Sequence, residues 1–351
     1  MVADMRIFLT FLALSFAQFA AAQDLQSLLT DAAPGDQQAA VLCLWQDGKT
    51  ECATTGRLQP NGRAIRSSDR FAIASVGKTV TAVALLQLVE RGQLGLDDPA
   101  NAHLSARTAT AFSNLPGITL RHLLAMQSGL PDYYDEAYFD AVLQDRSKQT
   151  LDYALAQAAL GRTQFRPGAE FEYSNTNYLL LQDILQNTTG QSLASYLKKH
   201  VLKRAGMADS FVFGTRSLPA NFATGFENIR GRGAEDVSFY YTGAGLGDGP
   251  LIASAPDLVA FYRALFVTQK LLGQPILRQM LTDPLGADYG LGIEVENTRR
   301  TGPIYGHSGA DVGFVADVRY APKMNAIIVA LMAGVDGDPS VTYEVLDELA
   351  R

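Results

Sequence analysis

Strict alternation of apolar and polar residues marks the two ends of this 351-residue chain, whereas apolar residues recur at helical spacing through its middle. The alternating stretches are residues 41–57 and 305–332, and a turn at residues 321–325 divides the second into two strands. Helices are predicted at residues 76–89, 120–126, 151–160, 178–186, 192–204, 257–266 and 343–349. This order predicts an α+β fold, in which an antiparallel sheet from both chain ends is flanked by helices.

A mostly helical subdomain is predicted to be inserted between the two sheet-forming ends. We place the sheet part at about residues 36–98 and 241–351, and the helical part at about residues 99–240. The sequence shows no internal repeat and no low-complexity linker after Gln23. A functional site is expected in the cleft between the two parts.

The first residues follow the three-part pattern of a secretory signal peptide. Arg6 precedes the apolar run Ile7 to Phe19, and the small residues Ala20 to Ala22 come next. We predict that residues 1–22 are a signal peptide and that residues 23–351 are the exported mature domain, periplasmic or secreted in a bacterial host. The apolar run is shorter than the ~20 residues of a membrane helix, and we predict no membrane span in the mature chain.

The two cysteines agree with export. Cys43 and Cys52 flank the dipeptide Asp47-Gly48, which favours a two-residue hairpin turn. Pairing outward from that turn places the two cysteines opposite each other, and an oxidising compartment would join them as a disulfide. With a longer loop they would instead be two free thiols in the core.

Charge and composition exclude several kinds of partner. Acidic residues outnumber basic ones by 36 to 29, and no run of Lys or Arg marks a nucleic-acid or membrane surface. No pair among the four histidines has metal-ligand spacing, and we predict neither a metal nor a cofactor. The expected partner is a small molecule or a peptidoglycan fragment, and the oligomeric state is not predicted.

The spacing Ser-x-x-Lys occurs twice, and its context separates the two matches. Ser195 and Lys198 belong to a segment whose charged residues form the solvent-exposed face of an amphipathic helix. Ser75 opens a segment that is apolar almost all round, with Lys78 on the same helix face. A buried lysine beside a hydroxyl is a plausible proton acceptor or relay.

Two other interpretations of Ser75 and Lys78 were weighed. Ser75 could act only as a helix cap, a frequent role for serine, which would leave Lys78 buried without a purpose. Alternatively, Gly77-Lys78-Thr79 matches the end of a phosphate-binding loop, but Ala72 stands where that motif needs its first glycine. The sequence therefore favours a nucleophile over a nucleotide site.

Two later segments supply further chemistry. Tyr173-Ser174-Asn175 precedes a predicted helix, so the phenol could relay a proton and the Asn175 amide could bind a substrate carbonyl. The alternative is a tyrosine packed on the core, with Asn175 as a helix cap. His307 lies in Gly306-His307-Ser308-Gly309 at the entry of the strand predicted at residues 313–320, and no histidine follows Ser308 as an α/β-hydrolase would require.

In this order the motifs resemble those of the penicillin-recognising serine hydrolases. That family contains class C β-lactamases, D-alanyl-D-alanine carboxypeptidases and related esterases and D-aminopeptidases. The resemblance extends from Phe71 to about Ala333. Besides Ser75, Lys78 and Tyr173-Ser174-Asn175, it includes residues 96–99 (Leu-Asp-Asp-Pro), 118–124, 128–131 (Ser-Gly-Leu-Pro), 247–249 (Gly-Asp-Gly) and 289–292 (Tyr-Gly-Leu-Gly).

The resemblance implies a role for each matching residue. Ser75 would be the acylated nucleophile, Lys78 and Tyr173 the proton-transfer pair, and Asn175 a contact to the substrate amide. The strand segment His307-Ser308-Gly309 would correspond to the family's Lys-Thr-Gly strand. The backbone N–H groups of Ser75 and Ala310 would form the oxyanion hole.

One departure bears on the substrate. The lactamases of the family usually have lysine where this chain has His307, and histidine there is more similar to the carboxypeptidases and D-aminopeptidases. An unperturbed imidazole is charged only below about pH 6.5, so carboxylate recognition is expected to weaken as pH rises.

We therefore expect a serine hydrolase that acts on a D-amino-acid-terminated peptide or a related amide or ester, in the manner of a D-alanyl-D-alanine carboxypeptidase. The alternatives are a class C-type β-lactamase or esterase, and a non-catalytic sensor of wall fragments. The intact set of Ser75, Lys78 and Tyr173 argues against the sensor.

Overall fold

A computed structural model of the chain describes residues 24–33, 39–113, 117–231, 233–334 and 337–351. The predicted signal peptide and its cleavage site lie outside these described residues. Within the described ranges, none of the helices combines the length and the apolar character that crossing a bilayer requires.

The described strands form one large sheet and two small ones. In chain order they are β1 (Ala39–Gln46), β2 (Lys49–Thr55), β3 (Phe71–Ala72), β4 (Phe211–Val212), β5 (Phe226–Asn228), β6 (Ala234–Asp236), β7 (Leu251–Ala253), β8 (Glu294–Thr298), β9 (Gly302–Asp311), β10 (Phe314–Ala321) and β11 (Ala326–Ala333). The large sheet is antiparallel with the order β2-β1-β11-β10-β9-β8. The small sheets are β3-β7-β4 and β5-β6.

The helices lie before, between and after these strands. They are α1 (residues 24–32), α2 (Gly77–Glu90), α3 (Ala106–Ala111), α4 (Leu120–Leu124), α5 (Glu136–Gln144), α6 (Leu151–Ala158), α7 (Thr176–Thr189), α8 (Leu193–Tyr196), α9 (Lys203–Ala205), α10 (Ala255–Tyr262), α11 (Gln274–Met280) and α12 (Val341–Leu349). Two π-helical segments, Leu197–Leu202 and Arg263–Val267, directly follow α8 and α10.

Helices cover both faces of the large sheet. Side chains alternate between the two faces of a strand, so Leu42 of β1 belongs to the core formed with α1 and α12, whereas Val41 belongs to the core on the other side, where α10 contacts β1. Every residue of β11 is buried, since this strand lies at the centre of the sheet under both layers. The antiparallel sheet built from both chain ends and flanked by helices is confirmed. The proposed division at residues 99 and 240 stays a prediction.

The N-terminal hairpin has the predicted register. Asp47 and Gly48 have φ values of +49° and +89°, the left-handed conformations that a tight two-residue turn between twisted strands requires. Cys43 lies opposite Cys52, and the structure joins their sulfur atoms. Oxidation of this pair in the exported protein stays a prediction.

Most predicted helices agree with the structure to within a few residues. The segment predicted at 76–89 is α2, Gly77–Glu90, and the segment predicted at 178–186 lies inside α7. The segment predicted at 192–204 is helical throughout, but it divides into α8, a π-helical stretch and α9.

Candidate active site

Ser75 lies in a single 3-10 turn, Ala74–Val76, between strand β3 and helix α2. The preceding residue, Ala74, has a φ of +45°, a left-handed conformation that a residue with a Cβ rarely adopts and that is often found at functional sites. The position before α2 belongs to Val76, and no side chain caps this helix. The interpretation of Ser75 as only a helix cap is therefore wrong.

The ammonium of Lys78 is fully buried and bonded in three directions. Its Nζ lies 2.9 Å from Ser75 Oγ, 2.7 Å from Asn175 Oδ1 and 2.8 Å from the backbone oxygen of Asp248. These bonds use all three hydrogens that a lysine ammonium can donate, which is what a buried charge requires. None of its hydrogens is left for a nucleotide phosphate.

Tyr173 joins this group through its ring. The ring centroid lies 5.0 Å from Lys78 Nζ, and the ring meets those of Tyr289 and His307 at centroid distances of 6.2 and 6.3 Å. Among the described residues, the Tyr173 hydroxyl forms no hydrogen bond with Ser75 or Lys78. Its predicted proton-transfer role therefore rests on proximity within one opening, the Ser75 crevice, whose lining includes Ser75, Tyr173, Glu294, His307, Ser308 and Ala310.

Asn175 is at the N-cap position directly before α7, but its side chain forms no capping hydrogen bond to that helix. Its Oδ1 accepts from Lys78, while its Nδ2 donates to Asp132 Oδ2 at 2.8 Å and its backbone N–H to Asp132 Oδ1 at 3.2 Å. The amide thus orients Lys78, and one Nδ2 hydrogen remains for the predicted substrate contact. Asp132 was not predicted, because nothing in its local sequence distinguishes it from a loop aspartate.

The sequence places His307 at the entry of the strand at residues 313–320, but the structure puts it inside the preceding strand, β9, because a tight turn at residues 312–313 separates β9 from β10. Its ring is buried, with 1% of its surface exposed. Its Nδ1 lies 2.5 Å from the backbone oxygen of Ser308, and its Nε2 lies 3.0 Å from the Tyr289 hydroxyl. A carbonyl oxygen only accepts, so Nδ1 carries the hydrogen and Nε2 accepts from Tyr289. Both ring nitrogens are engaged, so the ring helps to hold β9 in place. It has no free N–H group to donate to a substrate, as the predicted contact would require.

The pKa of His307 is lower than the value of about 6.5 expected from the sequence. Burial lowers the pKa of the His307 imidazole to about 4, with Lys78 and Arg319 acting in the same direction and Glu294 opposing. We expect its ring ¹⁵N signals, assigned by their loss in His307→Gln, to stay constant from about pH 8 to about pH 5.5. A midpoint near pH 6.5 in this NMR titration would show that the ring is hydrated and available to substrate.

Glu294 of β8 lines the Ser75 crevice and bonds its neighbour Ser308. Its Oε1 accepts from the Ser308 backbone N–H at 3.0 Å and from the Ser308 hydroxyl at 2.8 Å, and its Oε2 lies 2.5 Å from Arg319 Nη1. Burial alone would raise the pKa of Glu294. The charges of His307, which is protonated at such acidity, and of Arg319, together with the bonds from Ser308, lower it to about 2. This carboxylate, which the sequence did not reveal, is ionised at neutral pH.

Gly309 allows β9 to run directly beside the nucleophile turn. A Cβ at this position would lie 2.8 Å from the Ser75 backbone nitrogen and 3.0 Å from the backbone oxygen of Ile73. The next residue, Ala310, is exposed in the Ser75 crevice and pairs with Val315 of β10. This approach brings together the two backbone segments predicted to form the oxyanion hole, although that role stays a prediction.

A second opening lies on the other side of Ser75. This tyrosine cavity has a volume of about 80 Å³ and is lined by Tyr133, Tyr134, Tyr138, Tyr240, Asp248 and Asp311. The Tyr133 hydroxyl donates to Asp248 at 2.8 Å and the Tyr134 hydroxyl to Asp311 at 2.9 Å. Burial raises the pKa of both carboxyl groups, that of Asp311 to about 6. None of these six side chains was predicted.

Two other histidines and the second Ser-x-x-Lys match lie outside the candidate site. His103 pairs with Asp98, and His122 and Thr119 cap α4 reciprocally. Ser195 and Lys198 are exposed, as predicted for the solvent-exposed face of an amphipathic helix. Among the described residues, no three side chains of His, Cys, Asp or Glu are grouped to hold a metal.

Comparison with known proteins gives a consistent family. A family model described as beta-lactamase matches residues 26–349. A penicillin-binding protein of Bacillus subtilis (strain 168) is 28% identical over 284 residues, which are 76% of this chain and 61% of that protein. Protein flp of Staphylococcus aureus (strain MW2) is 34% identical over 159 residues, 45% of this chain and 31% of that protein. The chain thus spans less than two thirds of the length of these relatives.

Solved structures share the fold over nearly the whole chain. The penicillin binding protein of Bacillus halodurans has a TM-score of 0.76 and 26% identity, covering 88% of this chain and 95% of its own. The D-stereospecific amidohydrolase of a Streptomyces species has the same TM-score and identity, covering 93% and 97%. A D-amino acid amidase of Ochrobactrum anthropi SV3, with a TM-score of 0.75 and 23% identity over 95% and 98%, shows the fold alone.

Proposed function

The chain belongs to the beta-lactamase family of serine hydrolases, and on that basis we propose that it hydrolyses an amide or ester of a D-amino acid through an acyl ester on Ser75. One observation carries the proposal. Lys78, whose side chain is fully buried, lies 2.9 Å from the Ser75 hydroxyl. An amine held at hydrogen-bond distance from a serine hydroxyl is the arrangement that activates a nucleophile.

In the proposed reaction, Ser75 Oγ attacks the substrate carbonyl carbon while its proton passes to Lys78. In the form that accepts this proton, Nζ keeps two donor bonds, to Asn175 and Asp248, and turns its lone pair toward Ser75. The carbonyl electrons move to the oxygen, which the N–H groups of Ser75 and Ala310 would stabilise.

Collapse of this intermediate breaks the bond to the leaving amine or alcohol, which takes the proton back from Lys78, directly or through Tyr173. Water then attacks the acyl ester by the same route, giving a D-amino acid and free Ser75. Each step needs only groups that line the Ser75 crevice or bond to its nucleophile.

The choice of D-amino acid derivatives follows one neighbour named for that specificity, the D-stereospecific amidohydrolase. The penicillin-binding relatives favour a second candidate, a D-alanyl-D-alanine carboxypeptidase or a β-lactamase. A sensor without catalysis would have no need for the bond between Lys78 and Ser75. Export and a peptidoglycan-fragment substrate remain part of the proposal.

Acid quenching during turnover tests the proposal. With D-alanine p-nitrophenyl ester, we expect an alanyl adduct on the tryptic peptide containing Ser75, and slower hydrolysis of the L-enantiomer. With penicillin, a long-lived adduct on the same peptide would favour the carboxypeptidase, and rapid turnover the β-lactamase. Absence of any adduct and any hydrolysis would contradict the proposed function and favour the sensor.

A further inference from the structure

We infer that the Ser75 crevice selects substrates whose leaving group carries no free carboxylate, and that Glu294 and Ser308 are the residues that impose this selection. The inference rests on the proposed function and narrows it from D-amino acid derivatives in general to those with an uncharged or amine-bearing leaving group. Glu294 and Ser308 act here as specificity-determining residues.

The hydrogen of the Ser308 hydroxyl is already committed. Ser308 is exposed in the crevice, and its Oγ donates to Glu294 Oε1 at 2.8 Å. A hydroxyl has one hydrogen, so Ser308 Oγ presents only acceptor lone pairs to a substrate. A substrate carboxylate also only accepts hydrogen bonds and gains nothing from this oxygen. A carboxamide N–H or an amine can donate to it.

The charge of Glu294 adds a repulsive contribution. Its carboxylate lines the same crevice as Ser75 and is ionised at neutral pH. Arg319 does not cancel this charge alone, because its single guanidinium bonds three carboxyl groups: Glu294 at 2.5 Å, Asp317 at 2.7 Å and Glu296 at 3.0 Å. The cluster of Arg319 and its three carboxyl partners therefore carries more negative than positive charge.

Among the described residues at this site, no cation has a hydrogen free to donate to a carboxylate. The His307 ring is neutral at pH 7 and has both nitrogens engaged, and Lys78 uses its three hydrogens on Ser75, Asn175 and Asp248. Arg300, which lies on the turn after β8, pairs with Asp347 at 3.2 Å. Among the described residues that line the Ser75 crevice and the tyrosine cavity, none is an arginine or a lysine.

A matched pair of substrates tests the inference. D-Ala-D-Ala and D-Ala-D-Ala amide differ only in the terminal carboxylate, and both release a D-alanyl group to Ser75. We expect kcat/KM, measured by mass spectrometry of the released products, to be at least about tenfold higher for the amide. Equal rates, or faster cleavage of the acid, would overturn the inference.

Failure of the inference is distinguishable from failure of the proposed function. Should neither dipeptide be cleaved, their inhibition constants against hydrolysis of D-alanine p-nitrophenyl ester report the same preference, and tighter binding of the acid overturns the inference. Should the ester itself remain intact, the proposed function is wrong, and the inference that rests on it is wrong as well.

Two variants assign the effect to residues. Glu294→Gln keeps an acceptor for Ser308 but removes the charge, and we expect it to raise the acid-to-amide ratio of kcat/KM about tenfold. Glu296→Gln is the matched control, since Glu296 also bonds Arg319 but has no bond to Ser308. An unchanged ratio in Glu294→Gln, or an equal rise in both variants, would remove Glu294 from this role.

Ser308→Ala supplies a second route in case Glu294→Gln does not fold, because Ser308 is exposed and its removal leaves the Glu294–Arg319 pair intact. The preference for the amide should fall by about twofold to tenfold, the usual worth of one hydrogen bond. An amide preference that does not change would show that Ser308 does not contact the leaving group.

Discussion

Replacing Ser75 by alanine lowers kcat for D-amino acid ester hydrolysis by about 10⁴-fold or more, because the variant has no atom that can carry the acyl group. The turn Ala74–Val76 needs no serine hydroxyl for its structure, and the side chain caps no helix, so the variant should fold as the parent does. The measurement is the initial rate with the ester, together with the thermal unfolding midpoint.

Ser195→Ala is the matched control for this variant. Ser195 shares the Ser-x-x-Lys spacing, but it is exposed on α8 and its Oγ bonds only Ser192. We expect wild-type rates from it. Loss of activity in Ser195→Ala with retention in Ser75→Ala would place the nucleophile elsewhere and refute the assigned site.

Replacing Lys78 by methionine lowers kcat by about 10²- to 10⁴-fold, the usual range for a group that transfers a proton in the transition state. Methionine fills a similar volume but cannot accept the Ser75 proton. It also leaves Asn175 Oδ1 and the Asp248 backbone oxygen without their donor, which costs stability of about 1 to 3 kcal/mol for each buried acceptor.

The loss of stability must be separated from the loss of catalysis. Pre-steady-state acylation of folded Lys78→Met, measured below its unfolding temperature, should be slowed by the same factor as kcat. Lys198→Met, which removes an exposed lysine from the second Ser-x-x-Lys spacing, should keep both rates. A folded Lys78→Met enzyme with more than about a tenth of the parent rate would exclude Lys78 as the proton acceptor.

Local cues were sufficient for much of the fold. Asp47-Gly48 predicts its hairpin because the left-handed conformation of both residues depends on the turn alone. The apolar run of α2 likewise predicts a buried helix to within a residue of its observed bounds. The sequence did not predict the π-helical segment between α8 and α9, since its apolar spacing differs little from that of an α-helix.

Local sequence patterns could not predict the residues that hydrogen-bond to the site residues or shift their pKa values. Asp132 bonds Asn175, which is 43 positions further along the chain, and Tyr133 reaches Asp248 across 115 positions. The sequence placed His307 at the entry of β10 and missed the turn that makes β9 a separate strand, and the protonation of His307 depends on burial and on Glu294, which only the assembled sheet brings together. Ordered motifs thus predicted which residues meet, and tertiary packing decided their chemistry.

The pairing of β1 with β11 constrains how the molecule can be made. Residues 39–46 are synthesised long before residues 326–333, yet these two strands are hydrogen-bonded neighbours along their whole length. Closing so long a loop is slow, and β1 keeps one unpaired edge, open to aggregation, until it closes. We therefore expect a chain that stops before residue 326 to be unable to complete the large sheet, because β1 would lack its β11 partner.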